Sequence, residues 1–465
     1  MSVILVSLVA AAIQMALLLL TARIVGIENY SRFSLIISIS VFLSAGVSEW
    51  LRMIVARHGG SRRRRFREAV LRHARTWIIA MSIGVTLLGL VVAAIILLTG
   101  NRDAAEFAAA TGITAGGMMV SDMSSAFLRY GAKKQWHYNA YTTARVSLMG
   151  DASLIAALLG ANGPMVAIAF GIAGMIIGGY FVAVAWPQSG PGRPGLLIRL
   201  SGQGWSLATG SIGTNLALML ARVTLGIALP SRVTGSTLLS IDLFSRGGNV
   251  LGTALCNWGN RVLLDGAHHY GRTGAYGAFK RFSAVFVSIW FSVVLLGICV
   301  CLVIPIFTLH VTQIRLHVAL SLPTLAAIAL LYLRIFLFDC LLSALNRHRE
   351  IALIASLTTV FAGIAALLAF VVHNQVAASL MFPGSAAVLT LIYAIRNFPD
   401  FAAATDRQAL RFALEKIVLL IAAFAAVAVS PRPVILGIVI ALILALDARQ
   451  ARLLLATLRP RRERL

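Results

Sequence analysis

Apolar and polar residues in this chain come in long blocks rather than at a strand or amphipathic-helix period. Stretches of about 18 to 25 apolar residues recur along the whole length. Each is long enough to cross a hydrocarbon core of roughly 30 Å as a helix. The pattern predicts helical spans near 3–20, 33–50, 77–99, 108–128, 144–161, 164–186, 205–229, 236–258, 283–306, 318–345, 351–372 and 376–395, and a shorter pair at 414–429 and 433–447. A membrane β-barrel would instead alternate residue by residue. The first block has neither a charged segment before it nor a small-residue cleavage site after it, so it reads as a retained span and not a signal peptide.

Composition agrees with the pattern. The chain is 59% hydrophobic and only 12% charged, with a mean hydropathy of +0.89, whereas soluble proteins carry about 25% charged residues. The net charge of +24 does not point to nucleic acid, because the basic residues sit in the bridges between blocks. Most of the 40 Lys and Arg fall on the side of the bridge that contains SRRRRFR, so the positive-inside rule puts that side and both termini in the cytoplasm. The opposite bridges are short and leave no room for an outward catalytic domain. Cys256, Cys299, Cys301 and Cys340 fall within predicted spans without C-x-x-C spacing and read as buried thiols. His268 and His269 have no ligand-spaced partner, so no metal is expected. No phosphate-binding loop of the ATPase type occurs, and no cofactor is expected.

One bridge is written twice. TAR-IVGIENYSRFS at 21–34 is echoed by LAR-VTLGIALPSRVTGS at 220–236, which aligns Arg23 with Arg222 and Arg32 with Arg232. The echo matches the end of span 1 to the end of span 7, as in transporters built from parallel repeats. It predicts an all-α membrane protein with a six-helix lobe at 1–187, a Gly- and Pro-rich cytoplasmic linker at 188–204, a second six-helix lobe at 205–396, and two extra helices with a basic tail at 397–465.

With these features the chain resembles the oligosaccharide repeat-unit flippases, the O-antigen and exopolysaccharide exporters of the multidrug/oligosaccharidyl-lipid/polysaccharide superfamily. The local likeness lies in ARIVGIENYSRFSLIISISVFLSAGVSEWLRMIVARH and at the start of the second lobe. Helix count and lobe layout extend it to the whole chain. The resemblance implies a protein of the bacterial inner membrane that moves undecaprenyl-diphosphate-linked oligosaccharide from the cytoplasmic to the periplasmic leaflet through a cationic cavity. It also implies dealings with a polysaccharide polymerase and a chain-length regulator, and with no nucleic acid. The similar lipid II flippases keep a peptidoglycan-precursor role open. A multidrug cation antiporter of the same superfamily is an alternative, and a membrane polymerase or ligase is the enzymatic rival.

Charges inside spans cost about 2.5 to 3.5 kcal/mol each at the bilayer centre, so they mark protein or water contacts. Arg246 shares a helix face with Asp242 one turn earlier; the two form either a structural ion pair or a diphosphate ligand and its holder. Arg23 and Arg222, with Arg32 and Arg232 outside them, read either as interface anchors or as a two-lobed rim for a diphosphate, whose oxygens suit the planar guanidinium fork. Arg52 at the cytoplasmic end of span 2 is either an entry-side ligand or a topology residue. Asp122 and Asp151 pair with such arginines or bind a coupling cation. Arg334 and Asp339 stand five apart, a poor spacing for an α-helical pair, and are expected to bond to neighbouring helices.

Overall fold

The computed structural model describes residues 2–58, 64–130, 135–184, 195–228, 231–308, 311–345, 347–372, 375–397 and 399–401, with four isolated positions up to Val418. Among these residues every regular element is a helix. In lipid a helix satisfies its own backbone polar groups, which is why blocks of this length fold this way. The order is α1 Ser2–Val25, α2 Ile27–His58, α3 Arg64–Leu98, α4 Arg102–Tyr130, α5 Gln135–Leu158, α6 Gly163–Val184 and α7 Leu196–Ala228. The stretch Ser231–Thr308 is helical throughout except at Gly271, whose φ of 61° divides it into α8 (231–270) and α9 (272–308). Then come α10 (311–344), which contains a π turn at Arg334–Phe338, α11 His348–Val372 and α12 Gln375–Arg396. These helices match the first twelve expected spans. The expected last pair and the basic tail lie outside the described residues, apart from the isolated positions. Among the described residues, five segments are long and apolar enough by composition to cross a membrane: Ile27–His58, Arg64–Leu98, Gly163–Val184, Ser321–Ala344 and Arg349–Leu368.

The helices overrun the apolar blocks. The arginine cluster before span 3 enters α3, where Arg64 Nε meets Glu68 Oε1 at 2.7 Å one turn on. The expected loop at 259–282 is helical on both sides of Gly271. There α8 and α9 approach so closely that a Cβ on Gly274 would lie 2.2 Å from the Gly266 carbonyl oxygen. Only glycine fits both the left-handed turn and that approach. Of the expected linker, 188–194 lies outside the described residues, and from Leu196 onward it is already helix.

The chain divides into two compact units, one of residues 1–242 and 348–389 and the other of 243–347 and 390–465. In the first, α4 packs against α3, α6 and α2, while α7 packs against α2 and α11. The second is built on an aromatic run in which Phe282, Phe286, Trp290, Tyr332 and Phe336 follow one another at centroid spacings of 5.5 to 6.2 Å.

Candidate functional site

The start of α2 is pressed against the start of α8. A Cβ on Gly235 would stand 2.0 Å from the Ile27 carbonyl oxygen, so only a glycine at 235 lets these backbones meet. Two turns further along the same face of α8 is Asp242, and on α2 the residues one turn apart that face it are Tyr30 and Ser34. Tyr30 Oη donates to Asp242 Oδ2 at 2.8 Å and Ser34 Oγ donates to the same oxygen at 2.6 Å. The other oxygen, Oδ1, takes Arg222 Nη2 at 3.0 Å, with the two side chains only 12% and 4% exposed. Asp242 is thus bound by two hydroxyls from α2 and by Arg222 from α7. Arg246 is half-buried and belongs to the second unit.

Around this buried cluster lie exposed pairs. Arg232 Nε meets Glu28 Oε1 at 3.0 Å, which joins the two copies of the repeated bridge, and Arg32 faces Asp103 at 3.6 Å. Arg23 is exposed in the last turn of α1 and takes no ion pair among the described residues. The structure thus gathers Arg222 and Arg232 around α2, gives Arg32 its own partner on α4, and leaves Arg23 apart from the buried cluster.

Other charged residues pair elsewhere. At the far end of α2, Arg52 bonds to Glu49, a carboxylate that is itself 5% exposed. Asp122 on α4 is held by Arg145 from α5 at 2.5 Å. Asp151 is exposed. In the second unit Asp339 receives the Tyr393 hydroxyl at 2.6 Å and lies 3.9 Å from Arg334, a side chain only 2% exposed. Asp339 thus bonds to the neighbouring α12, as expected, and lies near Arg334 as well despite their spacing of five. The π turn between them donates the Asp339 N–H to the Arg334 carbonyl, and its wider i→i+5 step brings residues five apart onto one face. Below it, Arg347 and the Tyr276 hydroxyl both bond to Asp400. The hydrogen bond to Asp400 holds the Tyr276 phenol above its ordinary range.

Reading the sequence alone overlooks Tyr30, Ser34, Glu49 and Arg145. Glu49 and Arg52 carried a usable signal, an acid and a base one turn apart. Tyr30 and Ser34 had only their shared face, which says nothing about what they meet.

No family model and no curated protein sequence matches the chain. Solved structures do. An inward-facing multidrug resistance MATE family transporter of the MOP superfamily superposes with a TM-score of 0.60 at 13% identity, covering 84% of this chain and 95% of that one. A MOP superfamily transporter from Pyrococcus furiosus, described as having a binding pocket of reverse polarity, gives 0.57 at 13%, with 87% and 96% covered. The lipid II flippase MurJ in an inward closed conformation gives 0.58 at 9%, with 96% and 98% covered. At such identities the likeness is one of fold, and its consequence is that this chain is a multi-pass helical membrane protein with the fold of the MOP superfamily transporters.

Proposed function

We propose that the protein is a flippase for a polyprenyl-diphosphate-linked oligosaccharide, passing it from the cytoplasmic to the periplasmic leaflet of a bacterial inner membrane for surface polysaccharide synthesis. The observation that carries this reading is the state of four acids on α2, α4, α8 and α10, Asp151 on α5 being exposed and in no ion pair among the described residues. Glu49, Asp122, Asp242 and Asp339 each already hold an arginine. A cation exporter needs carboxylates ready for its substrate, whereas here each of these acids occupies an arginine that an anion could claim. Carboxylate and phosphate oxygens bind a guanidinium with the same charge-assisted geometry, so a diphosphate can displace Asp242 from Arg222. In this scheme Arg23, Arg32, Arg222 and Arg232 serve the periplasmic exit, Arg52 the cytoplasmic entry and Arg246 the path between. Asp242, Asp122 and Asp339 hold arginines when no substrate is present.

Coverage supports the same reading. The two MATE and Pyrococcus structures leave 13 to 16% of this chain unmatched, while the lipid II flippase leaves 4%. The larger remainder is about the size of a pair of spans, as the extra C-terminal helices require. A peptidoglycan-precursor flippase is the second reading, and this coverage favours it equally.

Deleting the gene should abolish one surface polysaccharide and leave its lipid-linked repeat unit accumulating in the cytoplasmic leaflet. Arg23→Ala with Arg222→Ala, expressed at normal levels, should fail to complement, and Arg222→Lys should restore export only in part, lacking the fork. Full export by the double variant would refute the proposed roles. Intact surface polysaccharide with arrested peptidoglycan synthesis on deletion would select the second reading.

A further inference from the structure

At the arginine-rich end of the first unit, α2, α3 and α7 part to leave an open cavity of about 480 Å³. Gly46 and Trp50 line it from α2, Trp77 and Met81 from α3, and Ser201 and Trp205 from α7. Trp50 stacks on Trp205 at 6.2 Å with the planes 13° apart, and Trp77 meets Trp50 edge-on at 6.2 Å. The Trp50 indole is satisfied by the Val47 carbonyl at 2.8 Å, so it offers the groove only its ring. Trp77 and Trp205 are 43% and 44% exposed.

One wall of the groove is a helix with a largely exposed apolar surface. Of the apolar window in α3 only 6% is buried, and Ile79, Ile83, Leu87 and Leu88 are exposed along it, so this helix borders lipid. Tryptophan concentrates at the level of lipid headgroups, and a hydrocarbon chain entering the groove meets three indole rings and little that is polar. The charge beside it is positive. Arg57 lies two turns beyond Trp50 on the same face of α2, and Arg199 lies in α7 between the groove residues Ile198 and Ser201. Both are exposed and neither takes an ion pair among the described residues.

We propose that this groove seats one hydrocarbon chain of an anionic membrane phospholipid, with the phosphate headgroup lying at Arg57 and Arg199. The volume lies in the usual range of about 300 to 1,000 Å³ for small-molecule sites. The arginines supply the sign and the indoles the apolar contact. The inference goes beyond the transport reading and does not rest on it, since the readout is lipid binding.

Bromine on an acyl chain quenches tryptophan only at close range, and the groove carries its own tryptophans. The full-length protein is placed in bilayers of phosphatidylcholine doped with a small fraction of brominated phosphatidylglycerol or brominated phosphatidylcholine. The signal lost in W50F/W77F/W205F, or in W77F alone if the triple variant does not fold, isolates the groove. Quenching there should favour the anionic lipid by roughly 5- to 30-fold, the span for one or two arginines near a membrane surface. Arg57→Gln with Arg199→Gln should remove most of that preference. Gly46→Leu should remove groove quenching by the anionic lipid while the arginines remain, because nothing lies within 4 Å of a Cβ at 46 and the side chain can fill the space. Equal quenching by both lipids overturns the anionic occupant. Preference surviving the arginine variant overturns the headgroup seat, and quenching unchanged in folded Gly46→Leu overturns the chain's seat.

Discussion

Asp242→Asn removes one negative charge from a site where little water is left to replace it. The asparagine oxygen can still accept from Tyr30 and Ser34, so the two bonds of 2.8 and 2.6 Å persist in weaker form. Arg222, whose side chain is 12% exposed, loses the carboxylate that held it at 3.0 Å. Taking one partner from a buried ion pair costs about 3–5 kcal/mol, because a charge is left uncompensated. Adding Arg222→Met removes that stranded charge, and the double variant should recover most of the loss, ending within about 1–2 kcal/mol of the parent, since apolar replacement of a buried pair is often close to neutral. Tyr30→Phe, which deletes a single hydrogen bond to the charged oxygen, should cost about 1.5–3 kcal/mol. The assay is reversible unfolding in mixed micelles, run as a double-mutant cycle on 222 and 242, with the coupling free energy as the readout. The reasoning is refuted if Asp242→Asn unfolds with the parent, or if the two substitutions simply add.

Gly235→Ala forces a Cβ to within 2.0 Å of the Ile27 carbonyl oxygen and should lower stability by about 1–3 kcal/mol or more, whereas Gly46→Ala, with open space around it, should gain up to about 1 kcal/mol of helix propensity; melting temperatures that fail to separate in this order exclude the close approach. The Tyr276 phenol is raised from 10.0 by its bond to Asp400, so its contribution to stability should be fully present below pH 10 and lost as the pH rises through the higher folded-state value. Thermal melts of the parent and of Tyr276→Phe should therefore differ at neutral pH and converge in strong alkali. For sidedness, single cysteines at Leu159 and Arg65, in a chain without its native cysteines, should react with an impermeant thiol reagent in intact cells at 159 only. The reverse result would invert the proposed topology.

Where the chain crosses a membrane was legible because the bilayer fixes the length of an apolar block, and α1 to α12 lie on the blocks. Where the helices end was not. The 259–282 stretch is polar enough to read as a loop, but its polarity reports only that it leaves lipid, and helix continues on either side of Gly271. The acid and base of a site are equally visible in sequence, but their pairing is not. Asp242 shows a neighbour at 246, while the groups that bind it come from residues 30, 34 and 222 on other helices. The repeated bridge is the exception that helped: it singled out the segments that Glu28 and Arg232 join, although the echo itself contains no hint that the copies touch.

The π turn in α10 acts as a phase shift. One residue more than an α-helical turn holds is absorbed at Arg334–Phe338, so the helix after it is rotated by roughly 100° from where the preceding residues would have carried it. Positions 339–344 therefore obey a different helical wheel from positions 311–333. Deleting any one residue of that pentad would let the helix run on as uninterrupted α, without breaking a backbone hydrogen bond. It would also leave Asp339 on the face that meets Arg334 and Tyr393, and Cys340 facing Cys256, whose sulfurs stand 2.7 Å apart, because residues four apart in an α-helix share the face that residues five apart share across the π turn. A one-residue gap at this point is thus what an alignment with a relative lacking the turn should contain, and that relative should place its buried acid four residues from its arginine instead of five.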